Sequence, residues 1–234
     1  MNRQICFLIA ALSVLALSGQ ALAHTPNGQG VNAPSPDLPP IVPDNEYLSP
    51  ADVHARYSGP ALEVVLSRLE HQPFAGQSTD GPDGERHHFE SEARGDVNVN
   101  GFGDQPFVAG GPVDTVAYGR CPTCDTGTFD TEMLSMSLTG NSPYGQFMIR
   151  ESPTLASLGK TTITQIGPSL YHIDSFFDVF TELTLPGLLD DQGNQLWIPS
   201  DGSIRVYLGG VPEPASIVLL ALGVLGFAGL ARRR

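Results

Sequence analysis

The residues of this chain able to do chemistry fall into four small groups. Cys121 and Cys124 frame a Cys-Pro-Thr-Cys stretch, whose spacing suits a local disulfide, half of a zinc site or a redox pair. The redox reading needs the pair at a helix start after a strand, whereas the following Asp125-Thr126-Gly127-Thr128 reads as loop. His88, Glu90 and Glu92 would share one face of a strand, with His87 and Glu85 beside them. Such a face can offer imidazole and carboxylate to a metal, and it also reads as a solvated polar face. His172 and Asp174 form a similar strand pair, with no serine or cysteine nucleophile specified nearby by any motif. Two acidic loops, Asp80-Gly81-Pro82-Asp83-Gly84-Glu85 and Asp190-Asp191-Gln192-Gly193-Asn194, supply the hard oxygens that calcium takes. Their spacing is not that of an EF-hand, and Asp, Asn and Gly are the ordinary residues of β-turns. G-x-S-x-G, H-E-x-x-H, Walker-loop and paired catalytic carboxylate patterns are missing. The expectation is therefore a protein without catalytic residues, metal or cofactor, calcium at the two loops being the one cofactor left open.

Export decides among the cysteine readings. Met1 to Ala23 combines the basic Arg3, an apolar run from Ile5 to about Leu17 and an Ala21-Leu22-Ala23 cleavage pattern. Together these predict a secretory signal peptide, residues 1–23, cut after Ala23 at positions defined by Ala21 and Ala23. Cys6 lies inside it, so Cys121 and Cys124 remain as the cysteines of the mature chain, and an oxidising compartment makes their disulfide the expected state. The 234 residues include 26 Gly and 20 Pro and carry a net charge of −13. A chain this acidic lacks the positive field that binds nucleic acid phosphates, and its Gly and Pro content excludes a helical bundle. Between the two ends the charge is more negative still: residues 24–210 hold eight basic and 24 acidic residues, a net charge of about −16.

At the other end, Ile217 to Ala231 is apolar and uncharged, and Arg232, Arg233 and Arg234 follow it. A helix over 215–231 is short for a span, but bilayers thin locally, and the arginines belong on the cytoplasmic side. Val211-Pro212-Glu213-Pro214, this apolar helix and the arginine cluster, in that order over residues 211–234, resemble a PEP-CTERM sorting signal. The resemblance implies an exported protein of the cell envelope, cell surface or extracellular space. It implies delivery by the general secretion machinery, a transient single-pass stage in the inner membrane, and processing by an exosortase near Pro-Glu-Pro. In that family the hosts are typically Gram-negative bacteria that make exopolysaccharide, so extracellular polysaccharide is an implied neighbour. Pro212, Glu213 and Pro214 would be recognition residues, and two prolines keep that segment extended and accessible. Phe129-Asp130-Thr131-Glu132, Met148-Ile149-Arg150-Glu151-Ser152 and the run Tyr171 to Leu183 resemble a pattern shared by a group of exported PEP-CTERM proteins. That likeness, over roughly Phe129 to Leu208, implies a common β domain.

The body between the signals reads as a Pro-rich leader, 24–50, followed by one β domain, 51–210. In the leader Ile41, Val42, Tyr47 and Leu48 are the residues able to pack. Ser49-Pro50-Ala51-Asp52 suits a helix start, predicting a short helix from Pro50 to about Tyr57. Ala61 to Leu69 fits helix or strand, and strand is preferred. Further strands are expected at His88–Val99, Val113–Tyr118, Glu132–Leu138, Gln146–Arg150, Thr161–Ile166, Ser169–Leu185 and Ile204–Leu208. Turns are expected at Asn100-Gly101, Gly110-Gly111-Pro112, Thr139 to Pro143, Gly167-Pro168, Asp190 to Asn194 and Asp201-Gly202-Ser203. Short strands at this spacing predict an antiparallel β-sandwich, jelly-roll-like. In the densest aromatic run, Ile173, Ser175, Phe177, Val179, Thr181 and Leu183 share the expected core parity. The role expected of such a domain is structural or adhesive. The alternatives are a carbohydrate- or calcium-binding module using Tyr118, Tyr144 or Trp197, and a hydrolase uniting His172, Asp174 and His88.

Overall fold

The computed structural model describes residues 29–43, 45–59, 62–121 and 123–209. The signal peptide, the Pro-Glu-Pro motif, the apolar helix over 215–231 and the terminal arginines lie outside the described residues. Among the described residues there is no helix. Thirteen strands form one sheet: β1 (Val31–Ala33), β2 (Tyr47–Leu48), β3 (His54–Ser58), β4 (Glu63–Asp80), β5 (Gly84–Val99), β6 (Asp104–Tyr118) and β7 (Gly127–Ser142) come first. They are followed by β8 (Gly145–Glu151), β9 (Ser157–Gly167), β10 (Leu170–Val179), β11 (Thr181–Thr184), β12 (Ile198–Pro199) and β13 (Ile204–Leu208).

The short strands are pieces of longer staves. β8 and β9 run one after the other along β7, pairing with its C-terminal and N-terminal halves. β10 and β11 continue each other along β9 and β8, and β12 and β13 along β11 and β10. β2 and β3 do the same along β4. Eight staves therefore follow in chain order, each antiparallel to the next. The last closes on the first through Tyr207↔Leu48 and Leu208↔Tyr47, with a bridge from Tyr57 to Ser200 further along the seam. The fold is a closed eight-stranded antiparallel barrel, which corrects the expected sandwich. Alternation and turn spacing are common to both architectures. What distinguishes them is the β13–β2 pairing, which removes the open sheet edges that two stacked sheets would have.

Three local expectations also change. Ser49 does not cap a helix. Its hydroxyl accepts a hydrogen bond from the Leu69 amide at 2.9 Å, Val53 N–H turns back to Pro50 O, and His54–Ser58 becomes a strand that buries Ala55 and Tyr57. Gly110-Gly111-Pro112 is not a turn but the middle of β6. Gly111 is there because the next strand is close: a Cβ at this position would lie 2.1 Å from the Ser137 carbonyl oxygen. Thr139 to Ser142 belongs to β7, with the reversal confined to Pro143 and Tyr144.

Period-two alternation sends one parity of each strand into the barrel. Phe89, Ala93 and Val97 on β5 point in, as do Ile173, Ser175, Phe177 and Val179 on β10, with Thr181 and Leu183 continuing on β11. The interior is graded along its axis. At the end reached by β3, β8 and β11 it is apolar, with Leu66, Phe107, Leu138, Phe147, Ile149 and Leu183 buried and the Phe107 and Phe147 rings edge to face. At the opposite end it becomes polar, with Tyr47, Thr161 and Ser175 linked by hydrogen bonds of 3.2 and 2.8 Å.

Candidate functional site

The polar end of the barrel is where the leader returns. β1 pairs with β10 beyond the end of β13, and the chain then crosses the mouth, burying Leu38 under it. Leu38 and Pro39 line a cavity together with residues of all eight staves, among them Tyr47, His87, Thr115, Met133 and Phe177. Side-chain donors fasten this strap. Asn45 Nδ2 donates to Pro40 O at 2.8 Å and to Pro73 O at 3.2 Å, and Arg120 Nη2 donates to Pro36 O at 2.7 Å. Of the four leader residues able to pack, Tyr47 is buried and Val42 packs on the core, whereas Ile41 is exposed.

Arg120 anchors a buried ionic cluster. Its Nη1 lies 2.9 Å from Glu85 Oε2, and His87 Nε2 lies 3.3 Å from Glu85 Oε1. Both Arg120 and His87 are buried. The His87 contact, and after it the Arg120 charge, hold the Glu85 carboxyl below the usual range against the opposing effect of burial. His87 Nδ1 sits 3.4 Å from Thr115 Oγ1, and the Arg120 guanidinium stands 6.0 Å from the centre of the Phe129 ring. Composition and spacing gave no sign of this cluster, because Glu85 read as a turn ligand and His87 as the twin of His88. The signal was parity: adjacent strand residues face opposite ways, so His87 is inside and His88 outside.

The interior beneath the strap is filled. The cavity at Leu38 holds about 30 Å³, and a second, sharing His71, Met133 and Val206 with it, about 60 Å³. Pockets for small molecules run to ~300–1,000 Å³. His71 bridges the two cavities and bonds Ser91 Oγ at 2.7 Å, and burial lowers its pKa to about 4. A histidine whose pKa falls on folding costs stability when it must be protonated. The penalty begins as pH drops below the ordinary value near 6.5 and is nearly complete at 4. The His71 share of the stability lost between pH 7 and pH 4 should therefore be ~2–3 kcal/mol, and His71→Gln should flatten the pH dependence of chemical denaturation by about that amount. A His71 imidazole that titrates near 6.5 in the folded protein would refute this.

The other residues singled out in the sequence do not converge. His88 Nδ1 pairs with Asp114 at 2.8 Å on the outer wall, where Ser135 also donates to Asp114, and Glu92 pairs with Arg94 there. His172 bonds Asn32 of β1 at 2.9 Å, on the outer parity of β10. β5 and β10 lie four staves apart in a ring of eight, so His88 and the His172–Asp174 pair occupy opposite outer walls. Tyr118 donates to Glu132 at the strapped end, and Tyr144 donates to Gly103 O at 2.7 Å at the other. Trp197 lies under the Arg150 guanidinium, 4.0 Å from the ring centre, which Glu182 holds in place.

Cys121 and Cys124 are joined in a disulfide, next to Arg120. Among the described residues no three His, Cys, Asp or Glu side chains are grouped so as to hold a metal ion. At the acidic loops, Asp190 Oδ1 is engaged by the amides of Gln192 and Asn194, and Glu85 turns inward to Arg120.

The geometry thus defines a strapped, filled β-barrel whose accessible chemistry is on its outer wall. The chain carries the PEP-CTERM protein-sorting motif at residues 210–234. That motif marks an exported protein sorted to the envelope through a C-terminal signal, and it implies recognition by an exosortase. No curated protein and no solved structure shows significant similarity to this chain.

Proposed function

We propose that this protein is a non-enzymatic structural or adhesive component of the cell envelope or extracellular polymer layer. Its barrel faces outward, and its tail is a transient inner-membrane anchor that an exosortase processes. The observation that supports this reading is the filled barrel. With cavities of about 30 and 60 Å³ inside, and the histidine–carboxylate pairs on opposite walls, the outer surface is what remains to act. An acidic body stays soluble beside other acidic polymers and repels nucleic acid. Co-sedimentation of the mature protein with the exopolysaccharide of its host tests the role. The expected result is retention of most of the protein in the polymer pellet, with a deletion strain forming weaker aggregates. Protein found wholly in the soluble fraction, with aggregates unchanged by deletion, contradicts it.

A further inference from the structure

On the outer wall at the end away from the strap, four strands bring one row of residues together. Arg56 on β3, Val65 on β4, Asn98 on β5 and Asp104 on β6 stand side by side in register. With Glu63 and Asn100 they line a concavity of about 420 Å³. Its polar groups are already held in place. Arg56 pairs with Glu63, Asn98 Nδ2 donates to Asp104 Oδ1 at 2.9 Å, and Asn100 Oδ1 accepts from the Glu63 amide at 2.7 Å. Each pair uses one atom of a planar group and leaves the other: the Asp104 Oδ2, the Asn98 carbonyl, the Asn100 NH₂ and further Arg56 N–H groups. The free set mixes donors with acceptors. Its charge nearly cancels, because Arg56 offsets Glu63 and leaves Asp104.

The turn that borders this concavity carries an exposed phenylalanine, whose ring is not itself among the lining side chains. Phe102 sits on the β5–β6 turn between Gly101, which lines the concavity, and Gly103, and it is 76% exposed. The turn holds it there through the hydrogen bond from Phe102 N–H to Val99 O at 3.0 Å. A lone exposed phenylalanine is unremarkable. One carried on the turn next to a preorganised, nearly neutral amide–carboxylate–guanidinium row can bring an apolar face to paired donors and acceptors. A sugar ring has the matching chemistry, with one face of C–H groups and an edge of vicinal hydroxyls that both donate and accept.

We infer that this groove is a binding site for a neutral saccharide, with Phe102 stacking on the sugar face and Asn98, Asn100, Asp104 and Arg56 reading its hydroxyls. The charge of about −16 on the body and the uncompensated carboxylate of the groove favour a neutral sugar over an anionic one. The site rests on the adhesive reading and gives it a ligand class. It is distinct from Tyr118 and Trp197, whose polar tip or ring face other side chains already engage.

The test is titration of the full mature protein, by calorimetry and amide NMR, with neutral oligosaccharides released from the host polymer, with cellohexaose and maltohexaose, and with dextran sulfate as the polyanion. At least one neutral oligosaccharide should bind with saturable shifts at Phe102 and Asn98. Phe102→Ala and Asp104→Ala should each weaken it at least tenfold with the melting temperature unchanged. Should Asp104→Ala lower the melting temperature, Asp104→Asn, which keeps the Asn98 contact, should still bind, and more loosely. No binding by any neutral oligosaccharide, equal binding by the variants, or preference for dextran sulfate overturns the site. Polymer co-sedimentation that survives in Phe102→Ala removes the site while leaving the adhesive role intact. Its absence in the unaltered protein removes the role itself.

Discussion

Replacing Arg120 with Met should lower the unfolding free energy by ~3 kcal/mol and free the leader. Arg120 and the Glu85 it pairs with are both shielded from water, with side-chain exposures of 5% and 14%. Removing one member of such a pair strands the other charge, and broken buried pairs typically cost ~3–5 kcal/mol. The same substitution deletes the donor to Pro36 O and the cation over Phe129, so the cost is felt at the strap as well as in the wall. Two measurements separate these effects. Equilibrium denaturation of Arg120→Met, Glu85→Gln and the double variant should show the double variant less damaged than the sum of the singles, because the stranded charge is gone. Hydrogen exchange should show faster exchange at Val31 to Ala33, which β1 protects through its pairing with β10, in both variants that lack Arg120. Additive losses, with leader exchange unchanged, would show that the cluster is not what holds the strap.

That prediction turns on residues hidden in the sequence for a definite reason. The strands were legible. Met136-Ser137-Leu138 alternates as read, although Leu134, read on the same face, is displaced by a register shift that turns Met133 inward instead, and Ile204–Leu208 was bounded correctly by the Gly and Asp around it. The parity assigned to Ile173, Ser175, Phe177 and Val179 is the one the barrel uses. Closure was not legible, because it depends on which strand meets Tyr47 and Leu48, and two residues carry no pattern of their own. Nor was strand length. Gly and Pro act as turn residues only where the chain reverses. In β6 Gly111 lets β7 approach, and in β4 Pro73 stands where the β4–β5 register shifts. The expected aromatic platforms were chosen by residue type, yet engagement decided the matter: Arg150 covers Trp197, while Phe102, in a turn between two glycines, stays open. Arg56, Asn98 and Asp104 are far apart in the chain, and only the register of β3 to β6 sets them in one row.

The second large effect concerns the ends of the chain. The sorting motif at residues 210–234 follows directly on Gly209, which closes β13 by donating to Glu46 O at 2.9 Å. The last strand of the barrel therefore ends at Leu208, ahead of the motif. A protease cutting at that motif acts beyond the last strand and leaves the barrel whole. On the proposed function, retention of the tail would keep an apolar run and three arginines on the protein and hold it at the inner membrane. Loss of the exosortase should accordingly move most of the protein from the extracellular fraction to the membrane fraction.

Intact-mass measurement of the protein from its host, with and without the exosortase, tests this most directly. From the unaltered host the mature chain should begin at His24 and end near Pro214, and from the exosortase-deficient host it should begin at His24 and still end at Arg234. A full-length C-terminus in both hosts would contradict the account.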